Sequence, residues 1–259
     1  MGLILTRVED TVGTVALNHP EKRNSLSQAL LKELVAAFAD LAERKVRVVV
    51  LRAAPEAKVW SAGFAIDELP DPGRDPLPYS HPLEATLRAV QDFPGPVIGL
   101  IQGGVWGGAC DLAFVCDLLI GTPESTFAIT PAKMGVPYNT AGILHFLNVV
   151  GMHIAKEMLF TAEPLSAERA HQVGILNHVR PAGEIEAFTY DLARRIGRLS
   201  PLSIAVIKEQ LHILGNATAL SPETFERLQA LRRRIYDSND YREGKAAFLE
   251  KRRPAFKGD

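Results

Sequence analysis

Residues 46–53 read VRVVVLRA, and no other stretch narrows the possible folds of this chain so much. The run has strand length, is rich in β-branched side chains and shows no polar alternation. Such a run suits a strand buried on both faces, which requires a layer of helix or sheet on each side. Two more short apolar segments, 96–102 and 117–121, have the same character. After a hairpin expected from segments 2–8 and 11–18, joined near Glu9-Asp10, the pattern turns helical. Ser25 and Gln28 have capping-box spacing, and Leu31, Leu34, Val35, Phe38, Leu41 and Ala42 recur on one face of a helix reaching about Lys45. Buried strands separated by helices predict an α/β fold.

From about Gly183 the periodicity is helical throughout. Helices are expected over 183–199 and 201–215, after Ser221-Pro222-Glu223 with Ser as N-cap and Pro at the first position, and over 240–252, stopping before Pro254. The chain is therefore read as a core over 1–195 that carries the site and a helical C-terminal region over 196–259. That region either covers the core or forms an oligomer interface, and periodicity leaves both open. Segment 70–82, rich in Pro, Gly and Asp, reads as a mobile surface loop.

With 259 residues, 47% of them hydrophobic, the chain supports a sizeable core. Its net charge of −1 gives no field pointing to nucleic acid or an anionic membrane. No segment is apolar enough to span a bilayer, and the first residues, with Arg7, Glu9 and Asp10, read as neither signal peptide nor anchor. Cys110 and Cys116 lie in an apolar run without CxxC spacing, as buried reduced thiols of a cytoplasmic protein would.

Several catalytic motifs are absent: HExxH, GxSxG and GxxxxGK[ST]. The histidines, His19, His81, His145, His153, His171, His178 and His212, have no metal-ligand spacing, so no metal site is expected and each reads as an ordinary histidine. Two segments stand out. Trp60-Ser61-Ala62-Gly63-Phe64 puts small residues after a buried strand. Gly103-Gly104-Val105-Trp106-Gly107-Gly108 follows the strand at 96–102 and opens an apolar helix at 109–115; its spacing is wrong for GxGxxG. Glycines at a helix start leave backbone N–H groups unspent, add the positive end of the helix dipole and admit a ligand closely, which suits an oxyanion. Close packing of the helix on the sheet would explain the same glycines.

Ser61-Ala62-Gly63, followed by Gly107-Gly108-Ala109-Cys110-Asp111-Leu112, resembles the enoyl-coenzyme A hydratase/isomerase (crotonase) superfamily. Asn18-His19-Pro20, Asn24-Ser25-Leu26 and the stretch from Val173-Gly174-Ile175 to His178-Val179 extend the resemblance over nearly the whole chain. It implies a spiral of ββα turns with a helical trimerisation region, a homotrimer or dimer of trimers, and an acyl-coenzyme A thioester as ligand with no separate cofactor. By position, the N–H groups of Phe64 and Gly108 would form the oxyanion hole, each contributing about 3 kcal/mol. Ser61, Ala62, Ile66 and Gly107 would line the acyl site. Lys22 and Arg23 would meet the phosphates, and Phe248 and Lys251 match residues that reach a neighbouring subunit's ligand in relatives. Each cation also reads as a solvated side chain, and Phe248 as an apolar helix contact.

Hydratases of this superfamily use two carboxylates. Here the first position holds Asp111 and the second Pro131, which cannot titrate. Decarboxylation needs no base at the reacting carbon, since loss of CO2 itself generates the enolate. Thr130-Pro131 with Gly135-Val136-Pro137-Tyr138-Asn139, Ala205-Val206-Ile207-Lys208-Glu209, Tyr236-Asp237-Ser238 and Phe248-Leu249-Glu250-Lys251-Arg252 are most similar to the branch that decarboxylates methylmalonyl-coenzyme A. That similarity implies that Tyr138 lies by the substrate carboxylate; alone, it would read as a core tyrosine at a helix start. Members of that branch carry His and Asp where this chain has Phe64 and Ala65. The competing expectations are hydration or isomerisation using Asp111, and acyl-coenzyme A binding without turnover.

Overall fold

The computed structural model describes residues 2–69, 80–217 and 221–259. The loop expected over 70–82 lies outside the described residues except for its last three positions. The chain opens with β1 (Ile4–Glu9) and β2 (Val12–Leu17), an antiparallel hairpin turning at Asp10, whose φ is 51°. Helix α1 (Gln28–Glu43) follows, then β3 (Val48–Ala53), α2 (Pro82–Gln91) and β4 (Val97–Ile101). The N-cap of α1 is Ser27, not the expected Ser25: the Ser27 hydroxyl accepts from the Leu30 N–H at 3.3 Å. Past β4 come β5 (Gly104–Trp106), α3 (Gly108–Phe114), β6 (Leu118–Gly121) and β7 (Thr126–Ala128).

Strands β1-β2-β3-β4-β6 and a short β9 (His178–Val179) form one sheet, parallel from β2 onward. Strands β5, β7 and β8 (Leu165–Ser166) form a small second sheet. The run at 46–53 behaves as its composition predicts: every residue of β3 is buried. Val49 and Leu51 join one core beneath α1 and α2, while Val48 and Val50 join another that includes Ile185 and Ala193 of α7 (Ile185–Gly197). Alternate side chains of one strand thus enter two cores, each fully buried Val or Leu contributing roughly 1.5–3 kcal/mol. Cys110 and Cys116 are buried free thiols in the first core.

Helices α4 (Thr140–Val149) and α5 (Met152–Thr161) lie between β7 and β8, and α6 (Ala167–Gln172) follows β8. The expected division after residue 195 falls inside α7. Helix α8 (Pro201–Gly215) has the bounds expected and buries none of its residues. Helix α9 (Pro222–Tyr236) begins after the Ser221 cap, and α10 (Asn239–Leu249) ends earlier than expected. Helix α10 folds back on the turn at Pro131–Met134, so closely that a Cβ on Gly244 would lie 1.9 Å from the Met134 carbonyl oxygen. No helix among the described residues is long and apolar enough to cross a membrane.

Candidate active site

Two unspent backbone donors meet where the sheets join. Segment 60–65 is pinned by its own hydrogen bonds: Trp60 N–H and Ser61 N–H donate to the Gly104 carbonyl, Ala62 N–H to Arg23, and Ala65 N–H to Leu26. The Ser61 hydroxyl is buried, donates to the Asn24 carbonyl at 2.6 Å and accepts from the Gly63 N–H. Gly63 has φ of +89°, and a Cβ there would stand 2.3 Å from the Trp106 carbonyl oxygen, so only glycine fits. On the facing segment Gly107 N–H donates to Ala128 and Cys110 N–H to Gly107. Among the described residues no acceptor takes the N–H of Phe64 or of Gly108, the first residue of α3. The two are neighbours: a Cβ on Gly108 would lie 3.8 Å from the Phe64 nitrogen.

They open on an inner cleft lined among others by Ala62, Ile66, Leu83, Asp111, Pro131 and Tyr138. Its walls are mostly apolar, so a charge developing near the N–H pair is poorly screened by water. An outer cleft shares Ala62, Phe64, Ile66, Thr130 and Met134 with it. Lys22, Arg23, Lys133, Phe248 and Arg252 line the outer cleft. The structure therefore brings together Phe64, Gly107, Gly108, Asp111, Pro131 and Tyr138 in the inner cleft, places Ala62 and Ile66 between the two, and sets Lys22 and Arg23 outside. Phe248 lines the outer cleft of its own chain. Two expected residues stand apart. Ser61 braces the turn behind Phe64, and Lys251, past the end of α10 with φ of 56°, is exposed while Arg252 takes the place at the cleft. The acid that ties the turn after Phe64 to α1 is Glu68, which accepts the Gln28 N–H at 2.7 Å.

Side chains form the rest of the lining. Pro131 starts the turn at Pro131–Met134 and lines the inner cleft. The Tyr138 hydroxyl is buried without a partner among the described residues, and its ring meets Phe146 edge-on. Burial, and then the charge of Asp111, push that phenol well above the usual tyrosine range, so it stays a donor. Asp111 is 2% exposed and accepts from His145 Nδ1–H on α4 at 2.5 Å. Behind it Glu84 of α2 accepts from the Asn139 side chain at 2.5 Å, while Asn139 caps α4. Glu84 is pushed up, first by burial and then by Asp111. For His145 burial acts downward, but the hydrogen bond to Asp111 and the charges of Asp111 and Glu84 outweigh it and raise the imidazole above its usual value. Glu84, Asn139 and His145 were not among the expected site residues. They converge from α2, the start of α4 and its second turn, a proximity that no spacing within one helix announces. Among the described residues no group of three or more His, Cys, Asp or Glu side chains is placed to hold a metal ion.

The enoyl-CoA hydratase/isomerase family profile matches residues 7–259. Methylmalonyl-CoA decarboxylase of Escherichia coli K12 is 47% identical, over 95% of both chains. The structure of a methylmalonyl-CoA decarboxylase in complex with 2-nitronate-propionyl-CoA superposes with a TM-score of 0.97, at 46% identity over 99% of each chain. Human enoyl-CoA hydratase domain-containing protein 3, mitochondrial, is 32% identical over 95% of this chain and 81% of its own.

Proposed function

This chain belongs to the enoyl-CoA hydratase/isomerase family, and from that premise we infer that it decarboxylates methylmalonyl-coenzyme A to propionyl-coenzyme A and CO2, as a carbon–carbon lyase. The observation that carries this reading is Pro131: among the described residues the cleft has two backbone donors for a thioester oxygen and no carboxyl group besides Asp111. The thioester oxygen sits between the N–H groups of Phe64 and Gly108. As the bond to the carboxylate breaks, its electron pair moves onto that oxygen, where fixed donors stabilise it without reorganising. The thioester carbonyl is itself the electron sink, so the step needs no separate cofactor. The Tyr138 hydroxyl, buried and unspent, orients the departing carboxylate out of the thioester plane. The Pro131 ring and the apolar wall leave that group poorly solvated, which favours its loss as neutral CO2.

The coenzyme A part extends into the outer cleft, where Lys22 and Arg23 meet its phosphates and Phe248 its adenine or pantetheine arm. The exposed apolar side chains of α8, Leu202, Val206, Leu211 and Leu214, form the contact of a trimer or dimer of trimers in a cytoplasmic enzyme. Sedimentation reads that assembly. The activity is tested by incubating the protein with methylmalonyl-coenzyme A and following CO2 and propionyl-coenzyme A; no product above background rejects the reading. Asp111 in the cleft favours hydration as the second reading, and loss of the enone absorbance of crotonyl-coenzyme A distinguishes it.

A further inference from the structure

Decarboxylation of a malonyl thioester consumes a proton. The C–C bond to the carboxylate breaks, its electrons pass into the enolate, and C2 must then take up H+ to give the propionyl thioester. Among the described residues lining the inner cleft, only Asp111 and Tyr138 carry titratable groups. Tyr138, with its phenol pushed up by burial, is a poor acid at neutral pH. Asp111 as a bare carboxylate raises a second difficulty. It is 2% exposed and faces the space that an anionic acyl group must enter, so repulsion there is only weakly screened.

One residue removes both difficulties. His145 Nδ1 stands 2.5 Å from Asp111 Oδ1, and its side chain is 12% exposed. Resting on the decarboxylase reading of the site, we propose that His145 is a positioning residue that stores the proton of the reaction. As an imidazolium bonded to Asp111 it neutralises the carboxylate while the anionic substrate binds, and it recharges Asp111 when Asp111 protonates C2. In that step the Nδ1 proton of His145 passes to the Asp111 carboxylate and on to C2, where the enolate's electron pair forms the C2–H bond. The pair is left as carboxylate and neutral ring, and the ring regains one proton from solvent.

The surroundings fit a ring that changes charge. The Gln91 side-chain amide reaches the other ring nitrogen, Nε2, at 3.2 Å. Turned one way it donates to the neutral ring; turned over, it accepts from the imidazolium. The charged and titratable groups around the pair are Glu84 and Arg88 from α2, Tyr138 before α4, Cys110 beside Asp111 and, through its charge on Glu84, Arg232 from α9. Asp111 and Glu84 raise the imidazole and burial lowers it, with a net upward direction.

Two measurements on the unaltered protein test this without relying on any variant to fold. The first is the pH profile of kcat/KM for methylmalonyl-coenzyme A, which needs the protonated pair and falls as pH rises above the histidine range. The second is exchange of the C2 hydrogens of propionyl-coenzyme A for deuterium in D2O, which needs the unprotonated pair as base and rises with pH. The two profiles are expected to cross over with one shared midpoint; separate midpoints overturn the proposal. His145→Asn keeps a side-chain N–H for Asp111 but carries no titratable proton. It is expected to slow exchange on the order of 100-fold and flatten its pH profile. Wild-type exchange with unchanged pH dependence in that variant assigns His145 a structural role alone and overturns the proposal. Exchange that behaves as expected while methylmalonyl-coenzyme A releases no CO2 would reject the decarboxylase reading and leave the proton store standing.

Discussion

The two walls of the inner cleft are built on opposite principles. One presents backbone: the N–H groups of Phe64 and Gly108, held by hydrogen bonds at Ala62, Gly63, Ala65, Gly107 and Cys110 in which side-chain identity enters only through the Ser61 hydroxyl and where glycine is obligatory. The other presents side chains: Tyr138, Asp111 and, behind them, His145 and Glu84, whose service depends on which of them carry protons. A backbone wall tolerates Phe64 in place of another side chain, because the donor at that position is the same for every residue but proline. A side-chain wall responds to single-atom changes. The oxygen of the thioester and the carbon chemistry beside it are thus controlled separately.

That separation is tested hardest by removing a backbone donor while sparing everything else. Gly108 is the first residue of α3, where proline is accommodated because no helical hydrogen bond is lost. Gly108→Pro deletes the N–H and is expected to lower kcat by about 10²- to 10³-fold, or roughly 3–4 kcal/mol, with little change in Tm. Gly108→Ala keeps the donor, and its Cβ would meet Leu83 and Phe64 at ordinary contact distances of 3.6 and 3.8 Å. It is expected to retain most of the activity. If the two variants are equally impaired, crowding rather than the donor is responsible and the backbone wall is not the oxyanion site.

A smaller effect is expected on the facing wall. Tyr138→Phe removes a buried hydroxyl that has no protein partner among the described residues. With nothing left unpaired by the change, thermal stability should hold or rise by up to about 1 kcal/mol. Turnover of methylmalonyl-coenzyme A should fall about tenfold, ~1.4 kcal/mol, because the carboxylate loses its one fixed donor on that side. Equal turnover in the two proteins would remove Tyr138 from the mechanism.

How much of this was legible in the sequence follows the same division. The strand at 46–53 and the helix at 201–215 announce themselves because hydrophobic runs and caps are local, and both stand in the structure. The glycines at 103–108 mark an unusual turn by themselves, but their pairing with Phe64 spans some forty residues and enters through the family resemblance. The Ser25–Gln28 spacing misled by two residues because Ser27 offers the same hydroxyl directly before the helix. The Asp111–His145 pair was invisible: 34 residues separate the two, and their contact is made only when α4 packs on α3. Reading each histidine as a surface or hydrogen-bonded one holds for His145 too, but that reading does not name the buried acid that tertiary packing sets against it. Ser61, read as part of the acyl site, braces the turn instead, because small polar residues in a buried turn serve its hydrogen bonds first.

The smallest expected effect concerns how the side-chain wall carries charge. Glu84 binds its proton more tightly in the folded chain than its ordinary value of 4.5 would have it, from burial first and Asp111 second. A raised carboxyl contributes most to stability below that ordinary value, and the contribution is lost as pH rises through the folded value. His145 has the same sign in a higher window: its contribution is complete below the ordinary 6.5 and is lost as pH rises through its raised folded value. Glu84→Gln keeps an oxygen for the Asn139 side chain and removes the first titration alone. Its Tm is expected to depend less on pH from 4.5 upward, and at pH 8 to exceed the wild-type value by roughly 1 kcal/mol, or ~2–4 °C. The higher window, belonging to His145, should survive. If both slopes vanish together, Glu84 and His145 titrate as one unit and the proton store includes the glutamate; if neither changes, the side-chain wall holds its charge independently of Glu84, and only the pair at Asp111 sets it.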